Sequence, residues 1–220
     1  MIAIIDYGVG NLFSLQSSLA YLGEAAEVTA DVDKIRAADR IILPGVGAFA
    51  DAADKLRQTG MADIVVEQAE AGKPLMGICL GMQLLFEKSF EYGEHEGLGL
   101  VPGQVVPIAD AVPAGYKIPH IGWNALRLVK NSGTGAPDKL FKYINEGDYV
   151  YFVHSFYAAG CEASTIADTE YGARLTAAVA KGNVYGCQFH PEKSGGVGMK
   201  ILKAFCEIEA GAPAETEVRP

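Results

Sequence analysis

The sequence lacks the features of secreted, metal-binding and membrane proteins. Its 220 residues include four cysteines, none in a CxxC pair, which argues against a disulfide framework and against a zinc site. No apolar run approaches the length of a membrane span, and the chain opens without a signal-peptide pattern. The glycine turn after the first apolar run lacks the third glycine of a dinucleotide fingerprint. We therefore expect a cytoplasmic protein with no metal and no cofactor.

Positive charge is also scarce. There are 18 Lys and Arg against 27 Asp and Glu, a net charge of −9. Such a chain is a poor ligand for nucleic acid or an anionic membrane, so neither is predicted as a partner. With 50% hydrophobic residues, the composition suits one globular domain, predicted over residues 1–209. Residues 210–220, rich in Pro, Ala and Glu, predict a disordered tail.

The first half alternates short apolar runs with amphipathic stretches, which predicts an α/β fold with an open, mostly parallel sheet flanked by helices. In the second half, Gly and Pro interrupt short apolar runs, and these predict additional antiparallel strands wrapping onto the first sheet. Residues 131–135 predict an exposed loop. The main predicted strands are 2–5, 26–29, 40–43 and 74–78, and the main predicted helices are 12–22, 48–56, 61–71 and 196–209.

The fourth predicted strand ends at Cys79, which has a glycine two residues to either side, Gly77 and Gly81. Strand, Gly-x-Cys-x-Gly, helix is the thiol form of the nucleophile elbow, a turn too tight for larger side chains at those positions. The turn would put the sulfur at the N-terminus of a helix predicted to run through residues 84–86, with the amide of Leu80 free to hold an oxyanion. A buried cysteine is more often a packing residue, so this stretch alone leaves both roles open.

A nucleophilic cysteine needs a base and a group that orients the base. His190 follows the apolar run 185–189 and precedes Pro191 and Glu192. The proline ends the strand and fixes the backbone, which places Glu192 to fold back onto the imidazole. The alternative is a strand-capping histidine beside a surface carboxylate, and spacing alone does not decide between the two.

Together, residues 77–83 and 188–192 resemble the motifs of class I (triad) glutamine amidotransferases. Further stretches extend the resemblance to the glutaminase subunits of imidazole glycerol phosphate synthases, from residue 1 to about residue 207. These stretches are residues 6–11, 43–49, 119–124, 151–157 and 191–194.

The resemblance implies a Cys-His-Glu hydrolase. Cys79 would attack the side-chain amide of L-glutamine to form a thioester, His190 would transfer the proton, and Glu192 would orient His190. A peptide flip within residues 44–47, which contain two glycines, would complete the oxyanion hole and act as a switch. The implied oxyanion-hole residues are Val46, Gly47 and Leu80, and the implied glutamine-binding residues are Gln83, Glu91, Ser155 and Phe156. For Glu91 the alternative is a solvated charge.

The resemblance also implies a partner. No phosphate cradle or acceptor-sugar motif stands out, so the acceptor is expected to bind a second subunit. In this family that subunit is a (β/α)8-barrel cyclase, joined in a heterodimer, which receives ammonia directly and makes imidazole glycerol phosphate and AICAR in histidine biosynthesis. The implied interface and ammonia-gate residues are Asn11, Trp123, Asn124, Tyr151 and Lys193.

Three alternatives stay open from sequence. The chain could serve another synthase, such as a sugar-modifying paralogue. It could be a non-catalytic regulatory subunit on the same fold, although the intact Cys79, His190 and Glu192 argue against that. An α/β hydrolase or cysteine peptidase is disfavoured because the acid follows the histidine here, whereas it precedes the histidine in α/β hydrolases.

Overall fold

The computed structural model describes residues 1–130, 133 and 135–211, which form fourteen strands and six α-helices. The strands are β1 (Ile2–Ile5), β2 (Ala26–Thr29), β3 (Arg40–Leu43), β4 (Leu75–Ile78), β5 (Phe86–Ser89), β6 (His95–Glu96), β7 (Val101–Pro107), β8 (His120–Ala125), β9 (Arg127–Leu128), β10 (Tyr149–His154), β11 (Phe156–Ala159), β12 (Thr165–Glu170), β13 (Arg174–Lys181) and β14 (Val184–Cys187). The helices are α1 (Leu12–Tyr21), α2 (Val32–Ala37), α3 (Phe49–Gln58), α4 (Met61–Glu70), α5 (Leu80–Leu84) and α6 (Gly195–Cys206).

An eight-stranded sheet organises the fold, in the order β2-β1-β3-β4-β14-β13-β12-β9. Its first five strands run parallel, and β13, β12 and β9 continue it in antiparallel fashion. The α/β fold class predicted from the alternating pattern is therefore confirmed. Two smaller sheets, the pair β8–β10 and the order β11-β7-β5-β6, stand apart from it.

Both faces of the inner parallel strands β1, β3, β4 and β14 are buried, which explains their apolar runs, whereas the edge strand β2 is half-buried. Along β1, Ala3 and Ile5 face one apolar core while Ile2 and Ile4 face the other. Helices α3 and α4 pack into the first core, and α1 and α6 pack into the second. The parallel part of the sheet is thus covered on both sides, which leaves the carboxyl ends of its strands as the place for a ligand.

Two expectations for the middle of the chain are wrong. The helix after Cys79 stops at Leu84, and Phe86 instead begins β5, because this segment pairs with β7. Among the short apolar runs of the second half, 98–101 and 104–108 each suggest a strand, but a single strand, β7, contains only Val101 of the first run and residues 104–107 of the second. Gly103 looks like a break in sequence, yet it sits inside β7 with φ +120°, an irregularity that a glycine accommodates within a strand.

The antiparallel strands expected in the second half are present, and β9, β12 and β13 extend the large sheet. Strands β8 and β10 pair with each other rather than joining the large sheet. The pair is joined to β12 by two hydrogen bonds, in which the Asn124 side chain donates to the Glu170 carbonyl at 3.0 Å and the Thr169 hydroxyl donates to the Ala125 carbonyl at 2.9 Å. Beyond the end of β14, the His190 amide also donates to the Tyr151 carbonyl at 3.0 Å. The predicted loop at 131–135 and the predicted tail at 210–220 fall mostly outside the described residues. Of the tail, Gly211 donates its amide to the Gly72 carbonyl at 2.9 Å.

In the described part of the chain, none of the helices combines the length and apolar character needed to cross a membrane.

Helix α6 contacts the 3₁₀ turn Pro191–Lys193 through a glycine. A Cβ added to Gly198 would lie 1.8 Å from the carbonyl oxygen of Pro191, so a larger residue would force the helix and the turn apart. Gly196, in the same helix, has no atom within 4 Å of an added Cβ.

These two glycines give a matched test of the packing. We expect Gly198→Ala to lower the free energy of unfolding by about 1–3 kcal/mol through overpacking. Gly196→Ala should raise it by about 0.5–1 kcal/mol because alanine favours the helix. Urea unfolding of both variants measures the difference. Equal effects of the two substitutions would contradict the close contact.

Candidate active site

Three neighbouring parallel strands, β3, β4 and β14, end at the same edge of the large sheet. The segment 44–47 follows β3, Cys79 follows β4, and His190 lies three residues beyond the end of β14. Adjacent carboxyl ends of parallel strands are where α/β folds bind ligands. The strand order therefore brings together residues that lie more than a hundred positions apart in sequence.

Cys79 occupies a strained turn, with φ 55° and ψ −113°, between β4 and α5. The glycines around it are needed for close packing. A Cβ on Gly77 would lie 2.5 Å from the Gly81 carbonyl oxygen, and one on Gly81 would lie 1.9 Å from the Leu43 carbonyl oxygen. The Cys79 amide donates to the Cys187 carbonyl at 2.7 Å. These contacts fix the backbone from both neighbouring strands and hold the thiol at the sheet edge.

His190 and Glu192 form a buried pair. Nδ1 of His190 lies 2.8 Å from Oε1 of Glu192, and each side chain is 3% exposed. Because a carboxylate can only accept, Nδ1 carries the proton and Nε2 is the nitrogen left for the thiol. The 3₁₀ turn Pro191–Lys193 brings Glu192 back toward His190. The Ser194 hydroxyl stabilises this turn by donating to the His190 carbonyl at 2.6 Å.

The environment favours the charged form of His190. Burial alone would lower its pKa, but hydrogen bonds and charge interactions with Cys79 and Glu192 outweigh burial and raise the pKa to about 9. The second oxygen of the carboxylate, Glu192 Oε2, is buried without a hydrogen-bond donor among the described residues. The imidazolium is therefore the main group that compensates this charge.

Cys79 and His190 line one cavity of about 420 Å³. Its remaining wall comes from the segment after β3, the start of α5, the turn after β5 and the end of β10. Ten of its lining residues besides these two are Val46, Gly47, Leu80, Gln83, Glu91, Tyr92, Val153, Ser155, Phe156 and Lys193. All of the residues expected in the oxyanion hole and in glutamine binding thus lie around a single cavity.

The predicted oxyanion-hole segment is fixed at one end and open at the other. The hydroxyl of Tyr7 donates to the Pro44 carbonyl at 2.8 Å, and burial raises the pKa of Tyr7 so that the hydroxyl keeps its proton. Gly47 has φ +95° and open space where a Cβ would be. Leu80 begins α5, and the first amides of a helix have no intrahelical acceptor.

Two predicted glutamine-binding residues are held firmly. The Gln83 amide donates to the Phe156 carbonyl at 3.1 Å and to Gln188 Oε1 at 3.0 Å. Glu91 is not a solvated charge, since its Oε2 accepts the Phe49 amide at 2.5 Å at the start of α3. Gln188, which sequence reasoning quoted only as part of a motif, places its Nε2 3.9 Å from the Cys79 sulfur.

A buried histidine pair was missed in sequence. Nε2 of His154 lies 3.0 Å from Nδ1 of His120, and Nδ1 of His154 donates to the Phe156 carbonyl at 2.8 Å. Burial lowers the pKa of both histidines, that of His154 to about 3. His154 itself lines the cavity, with His120 against it. The only sequence signal for the pair was that each histidine borders a strand.

The predicted interface residues lie beside this site. Trp123 on β8 faces Tyr151 on β10, with ring centroids 6.0 Å apart, and Trp123 is 51% exposed. Lys193 is exposed at the cavity, and Asn11 borders a small void together with His190. Asn124 differs, because its side-chain amide is already bonded within this chain by His120 and by the Glu170 carbonyl, each at 3.0 Å.

Comparison with known proteins identifies the class of this fold and site. The family model described as "Glutamine amidotransferase class-I" matches residues 3–208. Among solved structures, one titled "Crystal structure of glutamine amidotransferase" superposes with a TM-score of 0.72 at 18% identity, covering 94% of this chain and 98% of that one. Another, titled "Structure of PurLQS from Thermotoga maritima", gives a TM-score of 0.68 at 22% identity, covering 93% and 96%. The chain belongs to the class I glutamine amidotransferases.

Sequence relatives are more specific. The chain is 52% identical over 209 residues to a protein of Caldanaerobacter subterraneus subsp. tengcongensis, covering 94% of this chain and 98% of that one. It is 49% identical over 207 residues to a protein of Lactococcus lactis subsp. lactis, with the same coverage of 94% and 98%. Both are named "Imidazole glycerol phosphate synthase subunit HisH". Within the class, the chain belongs to the HisH family, and the resemblance stated from sequence is confirmed.

The raised pKa of His190 makes stability depend on pH. A histidine that titrates higher in the folded state stabilises fully below its unfolded pKa of about 6.5, and this stabilisation is lost as pH rises through the folded value of about 9. Glu192→Gln removes one of the two partners that raise the pKa. We expect it to lower the free energy of unfolding by about 1–3 kcal/mol at pH 6 and by clearly less at pH 9.5.

Urea unfolding at the two pH values measures this difference. Glu70→Gln, at an exposed position on α4, is the matched control and should change little at either pH. A Glu192→Gln penalty that is the same at pH 6 and pH 9.5 would show that the carboxylate does not stabilise a charged histidine.

Proposed function

We propose that this chain is the glutaminase subunit of an imidazole glycerol phosphate synthase. It hydrolyses L-glutamine to glutamate and ammonia and supplies the ammonia to a cyclase subunit in histidine biosynthesis. The observation that carries the proposal is the convergence, at one sheet edge, of a strained Cys79 with a buried His190–Glu192 pair. Membership of the HisH family supports the choice of synthase.

The first step forms a thioester. With the proton on His190, the Cys79 thiolate attacks the side-chain carbonyl carbon of glutamine, and a carbon–sulfur bond replaces the carbonyl π bond. As the tetrahedral intermediate collapses, the carbon–nitrogen bond breaks and His190 gives its proton to the departing nitrogen, which leaves as ammonia. Glu192 keeps the imidazole oriented throughout, through its 2.8 Å contact with Nδ1.

The second step hydrolyses the thioester. Neutral His190 takes a proton from water, whose oxygen attacks the thioester carbonyl, and the thiolate leaves as glutamate forms. The charged pair of thiolate and imidazolium is thereby restored. Gln188, at 3.9 Å from the sulfur, donates toward the leaving thiolate.

The oxyanion of both intermediates is held by the Leu80 amide and by an amide of the 46–47 peptide. The left-handed φ of Gly47 and the open space around it support a rotation of this peptide between two states. Loss of one such donor typically costs about 10²–10³ in rate, which is enough to keep the site slow until the peptide turns.

Glutamine lies along the cavity with its amide at Cys79. Glu91, fixed by the Phe49 amide, pairs with the α-ammonium, and the backbone of Ser155 and Phe156 holds the α-carboxylate. Gln83 supports this wall by bonding the Phe156 carbonyl. The cavity of about 420 Å³ is large enough for one amino acid.

The partner is a (β/α)8-barrel cyclase in a cytoplasmic heterodimer. It docks on the surface formed by Asn11, Trp123, Tyr151 and Lys193, with Asn124 beneath it. The half-exposed Trp123 against Tyr151 is the kind of aromatic anchor that dominates interface energy. Ammonia passes through this surface from the Cys79 side.

Cys79→Ala tests the chemistry. In the assembled synthase it should abolish glutamine-dependent turnover and leave turnover with added ammonium salt within about twofold, because only the ammonia source is lost. Cys161→Ala, at a buried thiol that contacts Thr165 and Thr176, is the matched control and should keep both activities. Full glutamine-dependent turnover by Cys79→Ala would overturn the assignment.

The partner dependence is tested separately. We expect slow glutaminase activity from the isolated chain and an increase of about 10²-fold or more in its rate when the cyclase and its acceptor are both present. Full glutaminase activity of the isolated chain, without the cyclase, would contradict the proposed switch at the 46–47 peptide.

Trp123→Ala should weaken subunit association about 30-fold, measured by calorimetric titration, since truncating an aromatic anchor costs about 2 kcal/mol. The matched control, Tyr21→Ala, changes another exposed aromatic.

A further inference from the structure

The described residues include two non-glycine residues with a left-handed backbone, Cys79 and Tyr92, both with φ 55°. Both line the cavity of the candidate active site. Such conformations are disfavoured for residues with a Cβ and persist where the surroundings impose them, often at functional sites. For Cys79 the reason is the nucleophile turn, whereas nothing in the proposed chemistry explains Tyr92.

The turn that carries Tyr92 is fixed by the residue before it. The Glu91 amide donates to the hydroxyl of buried Ser89 at 3.2 Å, and the Glu91 carboxylate accepts the Phe49 amide at 2.5 Å. With its predecessor bound at both backbone and side chain, Tyr92 has little freedom to move away from the cavity. Its place at the rim is therefore built into the fold.

The Tyr92 ring is unusually open to solvent for a large aromatic at a substrate cavity. It is 90% exposed. Its one ring contact in the described structure is an edge-to-face contact with Phe156, with centroids 6.0 Å apart. A bound ligand in contact with the ring would bury apolar area that is exposed to water in the free protein, and such burial is favourable.

We infer that Tyr92 is a substrate-specificity residue whose ring closes over the α-ammonium end of bound L-glutamine. This inference rests on the proposed function, which puts the amide at Cys79 and the ammonium at Glu91. Tyr92 is the next residue after Glu91 and lines the same cavity, so its ring lies at the charged end of the substrate. An aromatic face attracts an ammonium group, so the ring adds to the carboxylate of Glu91.

Tyr92→Ala in the assembled synthase tests this role. We expect the KM for glutamine to rise about three- to tenfold with kcat unchanged, as the loss of one cation–π contact predicts. Tyr92→Phe keeps the ring and should keep the wild-type KM. Turnover with added ammonium salt should be unaffected in every variant. Tyr21→Ala, at an 83% exposed tyrosine on α1, is the matched control.

Tyr92→Gly separates the ring from the backbone. Glycine relieves the left-handed strain, so this variant should unfold at a higher temperature and yet show the same raised KM as Tyr92→Ala. Three outcomes would overturn the inference. The KM of Tyr92→Ala could be unchanged, the KM could be raised in Tyr92→Ala but normal in Tyr92→Gly, or only kcat could fall. Failure of the proposed function would look different, because the wild-type synthase itself would not use glutamine.

Discussion

The close approach of three backbone segments at the edge of the sheet is the constraint on which the site depends. A Cβ on Gly45 would lie 2.7 Å from the Gly81 amide nitrogen, and the contacts of Gly77 and Gly81 are tighter still. Because no side chain separates these segments, the turn after β3 lies directly against the start of α5. The nucleophile and the turn after β3 are thus placed by one packing contact at Gly45, while the 46–47 peptide beyond it has open space at Gly47.

Electrostatics at the site follow from this packing. Burial works against an imidazolium at His190, yet hydrogen bonds and charge interactions with Cys79 and Glu192 outweigh it. Glu192 Oε2 has no donor of its own among the described residues, so the carboxylate depends on His190 for compensation. Desolvation of a buried pair of this kind offsets part of the stability that its contacts add, but the pair holds a proton where the chemistry needs one. The site is therefore organised for proton transfer rather than for stability.

The sequence predicted what is local. Strands β1 and β3 have the expected bounds because each is a short, mostly apolar run buried on both faces, and the glycines around Cys79 marked its turn. What depended on distant pairing was missed or wrong. Phe86 belongs to a strand because β7 pairs with it, Glu91 is bound because α3 begins beside it, and His120 meets His154 only when β8 and β10 pair. The hydrophobic pattern of a short segment does not indicate which distant segment it will pair with.

Strand β10 links the aromatic surface to the catalytic pair. The Tyr151 carbonyl accepts the His190 amide, and the Tyr151 amide donates to the Ser194 hydroxyl, which itself donates to the His190 carbonyl. At its other end the same strand reaches His154, which bonds the Phe156 carbonyl of the cavity wall. The backbone of His190 and that wall are therefore attached to the strand whose outer face carries Tyr151 against Trp123. A displacement of β10 at the aromatic surface would therefore strain the hydrogen bonds that hold His190 and the cavity wall.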